Sequence, residues 1–109
     1  MFRQLTDQIL VAPQIAVGDV MDAARAGVTL IINNRPEDES ADQRPGAEIE
    51  IAARAAGLDY VAIPVTHAGF AEWQVTAMAE ALAKTDCKIL AYCRSGTRST
   101  LLWALAQAS

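Results

Sequence analysis

Cysteine and histidine are scarce in this chain. Its 109 residues include two cysteines, Cys87 and Cys93, and one histidine, His67. Two cysteines are too few for a disulfide scaffold, and their spacing from the histidine is not that of a zinc site. We therefore expect neither a disulfide framework nor a bound metal, and the sequence implies no cofactor.

Basic residues are also in the minority. Nine lysines and arginines stand against 13 aspartates and glutamates, which gives a net charge of −4. Without a basic stripe, electrostatic binding to nucleic acid or to an anionic membrane is not expected. No apolar run approaches the length of a membrane-spanning helix, and residues 1–10 match neither a signal peptide nor a transit peptide. These absences favour a cytoplasmic protein with small-molecule partners.

Apolar residues are abundant, at 52% of the chain. A chain of this length can bury one core, so we expect a single catalytic domain over residues 1–109. Short β-branched runs predict strands, and apolar residues at helical spacing predict helices. The predicted strands are 5–12, 28–32, 58–65 and 87–92, and the predicted helices are 17–26, 47–56, 72–84 and 98–108.

The alternation of strands and helices predicts an α/β fold. We expect three layers, with a mostly parallel central sheet of about four or five strands flanked by helices. In such sheets, ligands bind beyond the carboxyl ends of the strands. Cys93, residues 33–35 and residues 66–67 each follow a predicted strand. Three loops should therefore meet at one edge of the sheet and form the site.

The segment Tyr92–Ser99 reads YCRSGTRS and lies between a predicted buried strand and a predicted helix. This places the Cys93 thiol at a helix N-terminus, where backbone N–H groups, the helix dipole and two arginines lower the pKa of a cysteine. The same loop can bind a tetrahedral anion. We predict that Cys93 is a nucleophile in an anion-binding loop, the alternative being a buried structural thiol.

The other residues of this segment have distinct expected roles. Gly96 allows a positive φ or a close approach to the ligand. Arg98 either clamps an anionic oxygen or pairs with a surface carboxylate, and Arg94 is expected at the mouth of the site. The hydroxyls of Thr97 and Ser99 either donate to the sulfur or cap the helix, capping being the simpler role. The residues that we assign to anion binding are Arg94, Ser95, Gly96, Thr97, Ser99 and Arg35.

Residues outside this segment offer weaker signals. His67 is a candidate general acid or substrate-orienting group, or else an ordinary loop histidine. Arg35 is either a second anion contact or a solvated turn residue. The acidic run 37–39 is expected to be solvated. We expect Cys87 to be structural, with a resolving thiol as the alternative.

Six segments together resemble one family, and they are Gln14–Ile15, Ile31–Pro36, Ala47–Glu50, Gly57–Tyr60, Ile63–Val65 and Tyr92–Trp103. The chain resembles the phosphatase-like domain of the beta-lactamase hydrolase-like proteins, which is related in fold to dual-specificity phosphatases. The resemblance implies a dual-specificity-phosphatase-like fold and a thiolate enzyme with Cys93 as nucleophile and Arg98 as the loop arginine. It also implies a metallo-β-lactamase-type dioxygenase as a partner.

The loop departs from the phosphatase pattern. Cysteine phosphatases have five residues between the nucleophile and the arginine, and usually a histidine before the cysteine. In this chain, four residues separate Cys93 from Arg98, and the residue before the cysteine is Tyr92. A loop of this length is similar to that of single-domain rhodaneses, which hold a persulfide. A terminal sulfur needs fewer inward N–H groups than a phosphoryl group does. His67 also stands where phosphatases have an aspartate that protonates the leaving group.

These observations favour a sulfurtransferase that moves sulfane sulfur from thiosulfate or a small persulfide through a Cys93 persulfide. The alternative is a phosphatase-like hydrolase of phosphomonoesters, of the phosphotyrosine type, that works through a Cys93 phosphocysteine. A third hypothesis is a non-catalytic docking or sulfur-delivery module for a dioxygenase partner. Such a module has no need of a nucleophile paired with an arginine, so this hypothesis ranks last.

Overall fold

The computed structural model describes residues 2–84 and 86–108. In that part of the chain, nine elements form one α/β unit. The strands are β1 (Arg3–Gln4), β2 (Ile9–Ala12), β3 (Val28–Asn33), β4 (Asp59–Ala62) and β5 (Lys88–Tyr92). The helices are α1 (Val17–Arg25), α2 (Gly46–Ala55), α3 (Glu72–Lys84) and α4 (Thr97–Ala108). None of these helices is long and apolar enough to cross a membrane.

The described strands form one five-stranded sheet in the order β1-β2-β5-β3-β4. The pairs β2–β5, β5–β3 and β3–β4 are parallel, and only β1 runs antiparallel to its neighbour. The mostly parallel sheet predicted from the sequence is therefore confirmed. Because β2, β3, β4 and β5 run the same way, the loops that follow them emerge at one edge of the sheet.

Apolar residues cover both faces of the sheet and form two cores. Alternate strand residues such as Ile32 and Ile89 pack with Met78 and Leu102 of α3 and α4 on one face. On the other face, neighbours such as Ile31 pack with residues of α1 and α2. Burial on both faces explains why the central strands are continuous apolar runs. The three-layer arrangement predicted from the sequence is confirmed.

The N-terminal strand prediction is wrong in one respect. Residues 5–12 were expected to form one strand, but the chain makes an antiparallel pair of β1 and β2 with a turn at residues 5–8. The Thr6 hydroxyl accepts hydrogen bonds from the N–H groups of Gln8 and Ile9, at 3.0 and 3.2 Å. A threonine side chain that bonds nearby backbone in this way favours a turn over a strand.

Candidate active site

Cys93 directly follows β5, and its side chain is fully buried. It is a member of neither apolar core. The backbone N–H of Gly96 donates to the Cys93 Sγ atom at 3.0 Å. The loop therefore turns an N–H group inward, as an anion-binding loop at a helix N-terminus requires.

The pKa of Cys93 is lowered although the thiol is buried. Burial is the largest single influence and raises this pKa, because it disfavours the charged thiolate. Hydrogen bonds from the N–H groups of Ser99, Ser95 and Gly96 and from the Ser99 hydroxyl together outweigh burial, so the pKa of Cys93 falls below its ordinary value. The site thus stabilises a thiolate, the reactive form of cysteine.

Gly96 has the backbone conformation that this loop needs. Its φ is +89°, which side-chain-bearing residues rarely adopt. A Cβ atom at this position would lie 3.4 Å from the carbonyl carbon of Ala12, in ordinary van der Waals contact with the backbone. The positive φ expected for Gly96 is confirmed, and the alternative, a close approach to a ligand, stays a prediction.

Arg98 lies in the first turn of α4 and crosses to two other loops. Its Nη1 donates to the carbonyl oxygen of Val65 at 2.6 Å. Its Nη2 donates to Oε1 of Glu39 at 2.9 Å, and Nη1 lies 2.9 Å from Oε2 of the same carboxylate. Arg98 therefore does pair with a carboxylate, but within the site and not on an open surface, since both side chains are only 17% exposed.

The acidic run 37–39 is not uniformly solvated, and that expectation is wrong for Glu39. Its carboxylate also accepts a hydrogen bond from Nε of Arg35 at 3.1 Å. Hydrogen bonding to Arg98 lowers the pKa of Glu39 against the opposing effect of burial, with Arg35 lowering it further. Asp38 is exposed as expected, whereas the Glu37 carboxylate accepts the Gly46 N–H at the start of α2.

Arg35 is buried, and its contacts are with protein groups. Its side chain is 5% exposed and donates to Oε1 of Gln14 and to Oγ of Ser40, both at 2.9 Å, as well as to Glu39. The alternative of a solvated turn residue is therefore wrong, since a 5% exposed guanidinium is not solvated. The contact of Arg35 with a substrate anion stays a prediction.

An open cleft of about 620 Å³ lies where the loops after β3, β4 and β5 meet the start of α4. The residues that line it are Pro36, Glu39, Thr66, His67, Arg94 and Arg98. The predicted meeting of three loops is confirmed. His67 is exposed on a turn at the rim, and Arg94 is exposed at the mouth.

The hydroxyls of the loop divide between two roles. Ser99 is fully buried, and its hydroxyl donates its one proton to Oδ1 of Asn34 at 2.8 Å. The same hydroxyl lowers the pKa of Cys93 when it turns this proton to the thiolate instead. Thr97 is exposed, and its N–H donates to Oγ of Ser95 at 3.4 Å, a weak bond at the start of α4. The side chain of Ser95 therefore takes the capping role that was expected of Thr97.

Sequence reasoning placed Asn34 in a loop at the site, as a turn residue or part of a second anion-contacting loop, but did not anticipate its contacts, and it missed Glu39. Asn34 is fully buried, donates from Nδ2 to the carbonyl of Ile63 at 2.9 Å, and accepts the Ser99 hydroxyl. Glu39 could not be separated from its acidic neighbours, because the arginine that selects it is 59 residues away.

Cys87 lies at the opposite end of β5 from Cys93. At about 3.3 Å per residue, the six-residue separation places the two cysteines roughly 20 Å apart. A disulfide requires Cα atoms within about 7 Å. The alternative role of Cys87 as a resolving thiol within the same chain is therefore wrong.

Comparison with known proteins identifies the family. Residues 1–109 match the family described as the phosphatase-like domain of beta-lactamase hydrolase-like protein. The chain belongs to this family. A beta-lactamase hydrolase-like protein from Xylella fastidiosa is 36% identical over 104 residues, which are 94% of this chain and 24% of that protein. The chain thus spans about a quarter of the length of the curated relatives that it matches.

Solved structures confirm the phosphatase-like fold of this family member. A candidate phosphatase from Neisseria meningitidis is 31% identical, with a TM-score of 0.86 over 96% of this chain and 75% of that chain. The core catalytic domain of a PP-IP phosphatase from S. cerevisiae has a TM-score of 0.67 over 94% of this chain and 61% of that chain. At 15% identity, the second likeness shows the fold alone.

Proposed function

We propose that this phosphatase-like domain is a sulfurtransferase with Cys93 as its nucleophile. The Cys93 thiolate attacks the sulfane sulfur of thiosulfate, the sulfur–sulfur bond of thiosulfate breaks, and sulfite leaves with the electron pair. An acceptor thiolate or cyanide then attacks the terminal sulfur of the Cys93 persulfide. The second sulfur–sulfur bond breaks, and Cys93 is released as a thiolate.

The observation that carries this proposal is the small size of the site around Cys93. Four residues separate Cys93 from Arg98, and the Cys93 side chain has no exposed surface. A persulfide adds one atom next to the Gly96 N–H, whereas a phosphoryl group adds phosphorus and three oxygens that all need donors. The loop therefore suits the smaller group better.

The leaving group supports the same reaction. Sulfite and thiolates leave without a strong general acid, because their conjugate acids have low pKa values. An alkoxide leaving from a phosphomonoester needs a proton donor, and the group at this rim of the cleft is the exposed His67. Sulfur transfer therefore does not require His67 to donate a proton, and His67 would only orient the sulfur donor.

Phosphomonoester hydrolysis is the second candidate, and the family and its fold favour it. In this reaction the Cys93 thiolate attacks phosphorus, the phosphorus–oxygen ester bond breaks, and His67 or water protonates the leaving alkoxide. Water then hydrolyses the phosphocysteine. The description of the family as phosphatase-like and the 31% identical candidate phosphatase support this reaction.

Cys87 is too far away to accept sulfur from Cys93 within one chain, so the acceptor in either transfer comes from solution. A small thiol or cyanide fits the open cleft beside Arg94. The names of the relatives compared above do not mention a dioxygenase. A dioxygenase partner stays a prediction from the resemblance.

Intact-protein mass spectrometry tests the proposal. The protein is exposed separately to thiosulfate, to glutathione persulfide and to a phosphomonoester, with Cys93→Ser and Cys87→Ser as matched variants. We expect a gain of one sulfur atom that Cys93→Ser abolishes and Cys87→Ser retains. A gain of one phosphoryl group on Cys93, without any sulfur adduct, would establish the second candidate instead.

A further inference from the structure

The guanidinium of Arg98 has five N–H donors, and both of its terminal nitrogens already contact protein groups. Nη1 donates to the Val65 carbonyl at 2.6 Å and lies 2.9 Å from Oε2 of Glu39. Nη2 donates to Oε1 of Glu39 at 2.9 Å. The edge of the guanidinium plane that carries Nε–H and the second Nη2 proton takes no part in these contacts.

Arg98 also interacts with Cys93. The hydrogen bond to Glu39 is the largest influence that raises the pKa of Arg98, and a hydrogen bond and the charge of Cys93 raise it further. Glu39 therefore holds an arginine that also interacts with the Cys93 sulfur.

Glu39 is itself held in place by buried groups. Nε of Arg35 donates to Oε1 of Glu39 at 3.1 Å, and the 5% exposed Arg35 is fixed by Gln14 and Ser40. Two arginines thus share one carboxylate, so one positive charge remains for an anion in the cleft. Charge-assisted, two-point contacts of this kind fix geometry as well as adding attraction.

We propose that Glu39 is a positioning residue that orients the Arg98 guanidinium towards Cys93 and an anion bound next to it. Arg35 acts one step further away, by holding Glu39. This inference rests on two parts of the proposed function, namely that Cys93 is the nucleophile and that the cleft receives an anion. The role of Glu39 is the same whether that anion is a sulfur donor or a phosphoester.

The rate of Cys93 alkylation by two reagents tests this role without any turnover. Iodoacetate carries a carboxylate that Arg98 can bind, whereas iodoacetamide is neutral and of similar size. The ratio of the two rates therefore measures how well Arg98 presents its donors to an anion. The measurements use the full chain with Cys87→Ser, at a pH at which Cys93 is a thiolate in every variant.

Glu39→Gln should lower this ratio by about tenfold, which corresponds to one charge-assisted hydrogen bond, and should leave the iodoacetamide rate unchanged. Glu39→Asp keeps the charge on a shorter side chain and should give an intermediate ratio. Asp38→Asn is the matched control. It removes one negative charge from the neighbouring exposed residue, and asparagine tolerates the φ of +59° found there.

Three results would overturn the proposal. A ratio that rises in Glu39→Gln would mean that Glu39 repels or blocks anions. Equal falls with both reagents would mean that Glu39 only supports the loop. A fall of similar size in Asp38→Asn would mean that the charge of the segment matters and not the bond to Arg98. Failure of the sulfur-transfer assay would leave these alkylation ratios unaffected, so the two proposals fail separately.

Discussion

The side chain of Asn34 ties the end of β3 to the first turn of α4, because its Oδ1 accepts the Ser99 hydroxyl at 2.8 Å. The same amide donates to the carbonyl of Ile63 beyond β4. Both Asn34 and Ser99 are fully buried, so water cannot replace either bond. One side chain therefore holds together the three segments that surround Cys93.

Asn34→Ala should lower the free energy of unfolding by about 1–3 kcal/mol, because it leaves the buried Ser99 hydroxyl and Ile63 carbonyl without these partners. Urea denaturation of Asn34→Ala, Ser99→Ala and the double variant measures the coupling. The double variant should lose less than the sum of the two single losses. Strict additivity would show that the bond contributes nothing to stability.

The lowered pKa of Cys93 predicts reactivity at neutral pH. In a Cys87→Ser background, the alkylation rate with iodoacetamide should reach half its maximum below the value of about 8.5 of a free thiol. The sign follows from the shift: a lower pKa means that the thiolate persists to lower pH. A midpoint at or above that of a free thiol would contradict the prediction.

Ser99→Ala should raise that midpoint, because it removes a hydroxyl that lowers the pKa of Cys93. Ser95→Ala is the matched control, since Ser95 acts on the sulfur through its backbone N–H, which alanine retains. The control should therefore keep the midpoint of the parent protein. Equal shifts in the two variants would mean that the Ser99 hydroxyl has no special effect on the thiolate.

Arg98→Ala should reduce turnover by about 100-fold, as expected when one donor to a developing or bound anion is removed. Arg94→Ala should reduce turnover by no more than about threefold, because an exposed charge at the mouth acts mainly by weak, screened attraction. Steady-state kinetics with thiosulfate measures both, and thermal denaturation shows whether each variant is folded. Equal losses of turnover in the two variants would mean that Arg98 is not the arginine that binds the anion.

Gly96→Ala should lose about 1 kcal/mol of stability and also slow Cys93 alkylation, because alanine rarely adopts the φ of +89° with which the Gly96 N–H reaches the Cys93 sulfur. Gly57→Ala is the matched control. Its φ of +82° is similar, yet its N–H donates to the carbonyl of Arg54 and not to the sulfur. The control should lose comparable stability without any change in alkylation. Slow alkylation in both variants would point to a general loss of structure.

The order of strands and helices and the position of Cys93, the proposed nucleophile, were predictable from the sequence. Both depend on local signals. Apolar periodicity marked the four main strands and the four helices, and the run from Cys93 to Ser99 combined a thiol, a glycine and an arginine in one turn of chain. The exception was the turn after β1, where the Thr6 hydroxyl bonds nearby backbone N–H groups in a segment that was expected to be strand.

The partners of these residues were decided only by the tertiary structure. Glu39 reaches Arg98 across 59 residues of sequence and Asn34 reaches Ser99 across 65, because parallel strands bring the loops that follow them to one edge. In the sequence alone, Glu39 resembles its acidic neighbours, and Arg35 is either a second anion contact or a solvated turn residue. Burial and charge pairing, which depend on the whole fold, separate the groups that shape the site from those that only face water.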